Sequence, residues 1–398
     1  MTVEEKLLCE TERYMEKETA SRVPAVRFLE FDLLKAIAIV GLPMVHILEE
    51  LAEIYIASPE LLSLMDVILV LCAFGPTVFM ICMGFGIGGG KTSAKSIKQT
   101  GLQFLIIGFL LNVVRWLLPG VITGIVLGES IMEDVCYLFA SDIYFFVGLF
   151  YLFYAFLKKH KISTVKLIFI SIVMLMVNGI LTPVMTGLDI PRPISDILGN
   201  IVYVDEISCF PLLSWAIFPS FGILLGEILK SRDEEYHRKF SRSMVLISAA
   251  VFVSFGLFLW SYGLDVAKIL VSPANDYITD VPNVILLLSL AGVVIGLMQM
   301  LSQKIANTGF TRVMLTLATY MIPFYIIQWI LIAWTGYFLE IFRVPYGAIG
   351  ILIYVILVVV ITAISIYISL NYGMKIMRFI IKYTTPKFKK KKKGTAKS

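Results

Sequence analysis

Residues Arg27 to Tyr55 read RFLEFDLLKAIAIVGLPMVHILEELAEIY. The run from Leu33 to Leu51 is long and apolar enough for a transmembrane helix, which needs about 20 such residues. It also carries groups that a bilayer resists. Asp32, Lys35, His46, Glu49 and Glu53 follow one another at intervals of 3, 11, 3 and 4 residues. On an α-helix these positions fall along one face. Charges inside a membrane are costly, so that face must look onto a cavity or other helices, never lipid. The eleven residues from Lys35 to His46 span roughly 16 Å of helix. With Lys35 at the cytoplasmic edge of a core about 30 Å thick, His46 sits near its middle. Imidazole titrates near neutrality and suits proton transfer. The competing reading is a structural histidine bonded to a neighbouring helix. Pro43 lacks a backbone donor and predicts a kink just before His46.

Working outward, the whole chain suits a bilayer. Of its 398 residues, 58% are hydrophobic and 16% charged, against about a quarter charged in soluble domains. Mean hydropathy is +0.87. The excess gathers into about ten runs of transmembrane length, at 33–51, 64–88, 101–119, 135–157, 165–186, 209–230, 243–263, 283–301, 313–335 and 347–371. The predicted fold is all-α, a polytopic membrane helix bundle of about ten transmembrane helices. The connecting segments GKTSAKSIK, KKHKISTVK, KSRDEEYHRKFSR and SQKIANTGFTR are basic and fall on one side. By the positive-inside rule that side is the cytoplasm, and both termini share it. The opposite loops are acidic or nearly neutral. Residues 1–28 then form a cytoplasmic N-terminal segment, 29–384 one transmembrane domain, and 385–398 a polybasic cytoplasmic tail. No internal repeat is visible.

The opening segment is charged and lacks the apolar stretch of a signal peptide, so the first membrane helix is expected to act as its own insertion signal. Cys9, Cys72, Cys82, Cys136 and Cys209 are scattered without a C-x-x-C pair, which predicts buried hydrophobes, not a disulfide framework or a metal site. The net charge of +5 is carried largely by the tail, KFKKKKKGTAKS. Lysines just past a membrane helix predict an anchor on anionic lipid and no nucleic-acid partner.

Gly84 to Ser93, GFGIGGGKTS, resembles a phosphate-binding loop at first sight. A nucleotidase loop of the form G-x-x-x-x-G-K-[ST] would need glycine where Phe85 stands, and it joins a strand to a helix. The glycines are expected instead to end the second helix and to let helices approach closely. A softer functional reading puts phosphates against the backbone at Gly90 and beside Lys91, Lys95 and Lys98. Elsewhere, Asn112 and Arg115 fall in the outer part of the third run and Asp142 in the outer part of the fourth, at similar depth. They predict either a structural ion pair or an arginine that steadies negative charge on a reacting group. Glu227 and Lys230 are expected to snorkel to the cytoplasmic surface. Tyr320, Gln328 and Trp329 read as packing.

FDLLKAIAIVGLPMVH resembles the first membrane helix of the transmembrane acyltransferase superfamily, which includes acyltransferase family three and the heparan-α-glucosaminide N-acetyltransferase-like proteins. Its mark is a basic residue, ten residues, then histidine, matched by Lys35 and His46, with Asp32 as the preceding acid. FMICMGFGI, SDIYFFVGLFYLFYAFLKK, FPLLSWAIFPSFGILLGEIL and MLTLATYMIPFYIIQW are similar to later helices of that family, in order, over residues 27 to about 335. Gln328 stands where the family commonly has histidine, so no role is carried over to it.

The resemblance implies transfer of an acyl group, often acetyl, from cytoplasmic acyl-CoA to a carbohydrate or lipid-linked hydroxyl or amine across the membrane. His46 would be the general base or the acyl relay, and Glu49 or Glu50 would orient it or receive the acceptor's proton. Arg115, paired in depth with Asp142, would steady the oxyanion. Asp32, Lys35, Gly90, Lys91 and Lys95 would hold the coenzyme phosphates; no metal is implied. Lacking the long luminal N-terminal domain of animal lysosomal members, the chain is expected in a bacterial plasma membrane, among membrane lipids and with homodimerisation open. Two rivals remain. A proton-coupled transporter or flippase would use His46 and Asp142 as relays, and a non-catalytic scaffold would keep the fold alone.

Overall fold

The computed structural model describes residues 28–50, 74–90, 92–128, 135–205, 208–275, 280–341 and 350–385. Every regular element among them is helical. Helix α1 spans Leu29–Glu50 and runs on through Pro43. It is followed by α2 (Phe74–Ile87). A long rod then comprises α3 (Ala94–Asn112), a π-helical turn (Val113–Leu117) and α4 (Leu118–Leu127). After a 3₁₀ turn at Tyr137–Phe139 come α5 (Ile143–Lys159), α6 (Thr164–Met185), the short α7 (Arg192–Gly199), α8 (Leu212–Trp215) and α9 (Ile217–Leu229). The C-terminal part holds α10 (Glu234–Ser261), α11 (Val266–Asn275), α12 (Val281–Ile305), α13 (Gly309–Thr319), α14 (Met321–Ile341) and α15 (Gly350–Thr384). Seven of the described helices are long and apolar enough to cross a membrane.

Local signals account for where these helices start. Ser93, Ser163, Asp233 and Thr308 each accept a backbone N–H of the first turn they precede, filling donors that a helix start leaves open. Asp280 and Asn283 form a reciprocal capping box on α12. Gly128 ends α4 in the left-handed region at φ 77°, where a side chain is disfavoured.

Helix α1 is the hub, packed against α12, α13, α14 and α15, while α3 lies along α5 and α10 along α12. Its buried side chains Phe31, Leu33, Leu34, Ala36 and Ile39 make it an interior helix. By contrast α6 and α10 expose Phe169, Ile180, Leu246 and Trp260 at 67%, 70%, 71% and 71%, as lipid-facing helices do.

The glycine-rich stretch is a helix–helix contact. A Cβ on Gly84 would lie 1.9 Å from the Pro219 carbonyl oxygen, and one on Gly88 would lie 2.4 Å from that of Ile223. Reciprocally, a Cβ on Gly222 would lie 2.0 Å from the Ile81 oxygen and one on Gly226 2.9 Å from the Gly88 oxygen. Two small-xxx-small ridges, Gly84/Gly88 and Gly222/Gly226, therefore face each other across α2 and α9. Gly89 ends α2 with φ 63°. Glu227 is exposed, as expected, while Lys230 is only half-exposed and turns onto the end of α2. Its Nζ donates to the carbonyls of Phe85, Gly86 and Gly88 at 2.6, 3.0 and 2.7 Å. Those are the orphan acceptors of the α2 terminus, and a C-terminal helix dipole favours a cation.

Several predicted runs differ in detail. The run 313–335 is broken at Tyr320, which closes α13 with φ −103°, ψ 26°. The run 135–157 is interrupted before Asp142, which caps α5. The run 101–119 is the middle of a continuous 34-residue rod, Ala94–Leu127. In each case a local cap or break, invisible to a hydropathy count, sets the boundary.

Candidate functional site

Arg115 lies in the π-helical turn of the rod. One extra residue per turn is a costly local irregularity that tends to occur at functional positions. Arg115 is 3% exposed, so its charge must be met inside the protein. Its Nη1 pairs with Asp142 Oδ2 at 3.0 Å. Its Nε donates to Asn112 Oδ1 at 3.0 Å. Asn112 in turn donates to the carbonyls of Leu138 and Ala140 at 3.2 and 3.1 Å, tying the rod to the 3₁₀ turn. The guanidinium also lies over the rings of Trp329, at 4.5 Å, and Trp116, at 5.3 Å.

Both oxygens of Asp142 are committed. Oδ1 accepts the Tyr144 backbone N–H at 2.9 Å, capping α5. Oδ2 takes the Tyr325 hydroxyl at 2.9 Å as well as Arg115. The ion pair foreseen between Arg115 and Asp142 thus forms, and Tyr325 extends it to α14.

His46 comes to the same cluster from α1. Its Nδ1 lies 2.8 and 3.2 Å from the two terminal atoms of the Gln328 amide. The ring stacks on Trp329 at 4.1 Å and 23° and meets Tyr325 edge-on at 5.9 Å. No described residue hydrogen-bonds Nε2, and the side chain is 8% exposed. Trp329 therefore touches both the imidazole and the guanidinium. Tyr325, Gln328 and Trp329 occupy positions i, i+3 and i+4 of α14 and share one face. The sequence reading assigned Gln328 and Trp329 to packing; they are the residues that hold His46. A glutamine inside an apolar run was the available signal, because a membrane helix keeps a buried amide only where it has a partner.

The remaining expected site residues lie elsewhere. Asp32 and Lys35 pair with each other at 2.6 Å one turn apart on α1, both partly exposed. Lys95 is exposed in the first turn of α3. The Gly90 carbonyl accepts from Lys158 Nζ at 3.5 Å, so a cation already stands against this stretch. Glu49 and Glu50 belong to α1 by their backbone, and their side chains lie outside the described residues, as do Lys91 and Glu53. Among the described residues no group of three or more His, Cys, Asp and Glu could hold a metal ion.

A buried imidazole with one open edge, beside a guanidinium clamped by a carboxylate, can move a proton and stabilise developing negative charge within one shielded cluster. A family model described as an acyltransferase domain, that of acyltransferase family 3, matches residues 28–370. No curated protein and no solved structure matches the chain.

Proposed function

The chain belongs to acyltransferase family 3, and from that premise we propose that this multi-pass membrane protein moves an acetyl or other acyl group from cytoplasmic acyl-CoA to a carbohydrate or lipid-linked hydroxyl or amine. The observation that carries the reading is the meeting of His46 and Arg115 on Trp329. In the proposed reaction His46 Nε2 takes the acceptor's proton as the acceptor oxygen or nitrogen bonds to the thioester carbon. Arg115, whose remaining N–H groups bond no described residue, steadies the oxyanion. The carbon–sulfur bond then breaks, and the proton passes from His46 to the departing thiolate, so atoms and charge balance.

A base at Nε2 requires the proton on Nδ1, with the Gln328 amide oxygen accepting it. Both amide atoms reach Nδ1, and amide orientation is set by the network it serves. Glu49 stands one turn beyond His46 on α1 and is proposed to orient the imidazole. Asp32, Lys35, Lys91, Lys95 and the backbone at Gly90 are proposed as the contacts of the coenzyme, since its phosphates would meet the basic, cytoplasmic end. The loop charges support about ten membrane spans with both termini in the cytoplasm.

Donor binding tests this. In detergent, acetyl-CoA and CoA should raise the melting temperature of the purified protein and ATP should not, with smaller shifts in Lys35→Ala and Lys91→Ala. No shift at saturating acetyl-CoA in a folded sample would remove the donor assignment.

A further inference from the structure

Helix α7, Arg192–Gly199, is turned the opposite way from a helix on a water-facing surface. Its apolar side chains point away from the protein: Ile194, Ile197 and Ile201 are 53%, 51% and 42% exposed, and Leu188 just before it is 54% exposed. Ile194 and Ile197 lie three apart on one face of α7, and Ile201 follows in the turn just after its end. Its polar side chains point inward: Ser195 and Asp196 are 3% exposed and Asn200 is 7% exposed. The two ends of that segment are tied to the protein by Asn200 and Arg192. Asn200 donates to the Phe139 carbonyl at 3.2 Å and accepts from Ser141 Oγ at 3.3 Å. Arg192 lays its guanidinium over the Tyr137 ring at 5.4 Å. The orientation is thus set from the polar side, and the apolar side stays exposed among the described residues.

The exposed face also follows closely in the chain on a helix that exposes apolar side chains to its end. Helix α6, which is long and apolar enough to cross a membrane, exposes Met176, Ile180 and Val184 at 56%, 70% and 56% down to its last turn. Only six residues separate its end at Met185 from the start of α7 at Arg192. With eight residues, α7 is about 12 Å long, too short to cross a core of about 30 Å.

We propose that α7 is an interfacial helix that lies along the bilayer surface at the end of α6, with Ile194, Ile197 and Ile201 seated among the lipid acyl chains and Arg192 at headgroup level. The partner is the lipid surface itself. A short helix with one apolar face in lipid and one polar face bonded to the protein meets the requirements of such a seat. Its consequence reaches the site: Ser141, held by Asn200 of this segment, directly precedes Asp142, the carboxylate that clamps Arg115. The bilayer thereby fixes one wall of the cluster. This inference needs the protein to be in a membrane and does not need it to transfer an acyl group.

Spin-label accessibility tests it in proteoliposomes. The five cysteines are replaced by serine or alanine, and a nitroxide is placed at Ile197→Cys and, separately, at Ile194→Cys, with Arg232→Cys as a water-exposed reference. Relaxation by dissolved oxygen, which concentrates in lipid, is compared with relaxation by a water-soluble nickel chelate. The seat predicts that oxygen outweighs nickel at both α7 positions and that the order reverses at position 232. Nickel outweighing oxygen at both α7 positions would place the face in water and overturn the proposal. Low accessibility to both reagents would place it under protein, such as a second copy of the chain, and would overturn it equally. The two label positions guard against one variant failing to fold.

Discussion

Asp142 should be harder to remove than Arg115. With Asp142→Ala, Arg115 stays buried with its ion-pair partner gone and α5 loses its cap. Breaking a buried pair this way costs about 3–5 kcal/mol. With Arg115→Met, Asp142 still accepts from Tyr144 N–H and the Tyr325 hydroxyl, and the apolar replacement suits its surroundings. A clearly lower melting temperature for Asp142→Ala than for Arg115→Met is therefore expected. Equal melting temperatures would mean that the carboxylate is not the structural member of the pair. At this scale the sequence disclosed His46, Arg115 and Asp142, because a charge or imidazole in an apolar run stands out. Gln328 and Trp329 stood out but read as packing, and Tyr325 did not stand out. Their meaning depends on the placement of α14 against α1, which joins residues 282 positions apart.

Among the elements, the α2–α9 contact gives a graded test. Ala at Gly84 or Gly222 puts a methyl into a facing backbone oxygen, at 1.9 and 2.0 Å. Backbone cannot swing aside, so each substitution should cost about 1–3 kcal/mol. A Cβ on Gly86 meets nothing within 4 Å, and Gly86→Ala should leave the melting temperature almost unchanged. Equal losses at all three positions would contradict the close-approach account. The sequence suggested that glycines served close approach here, but not that the partner ridge was Gly222 and Gly226, since hydropathy says nothing about which helices are neighbours. The π-turn at Arg115 was likewise hidden, because a one-residue insertion leaves the apolar pattern intact.

Helix α7 adds a pH dependence at the same scale. Burial pushes the Asp196 carboxyl up from an ordinary 3.8 to about 6, with Arg192 opposing and Asp205 adding to the rise. Its two oxygens have no hydrogen-bond partner among the described residues. Between those two values the folded chain binds a proton that the unfolded chain has lost. Stability therefore falls as pH rises through that window, and the penalty is complete above about pH 6. Asp196→Asn removes the ionisation, so it should raise the melting temperature at about pH 7.5 and make little difference at about pH 4. A gain of the same size at both pH values would assign the effect to packing instead.

For the whole molecule, the helical class was legible because long apolar runs have one stable outcome in a bilayer. The boundaries were not, since caps such as Asp142 and breaks such as Tyr320 act within an apolar run. Orientation can be checked directly. A fluorescent protein fused to the C-terminus should fluoresce, as it does in the cytoplasm, and alkaline phosphatase inserted after Asp265 should be active outside. The reverse pattern would invert the topology and place the basic loops outside.

The central claim is that His46 is the proton-handling group of an acyl transfer, and one measurement reaches it. Membranes from cells expressing the wild type or His46→Ala at matched levels are supplied with acetyl-CoA labelled in the acetyl group, and label fixed to membrane or cell-wall material is counted. The wild type should fix label above cells lacking the protein. His46→Ala should fix less by about 10²–10⁴-fold, the usual contribution of general acid–base catalysis. Equal incorporation by the two would contradict the account.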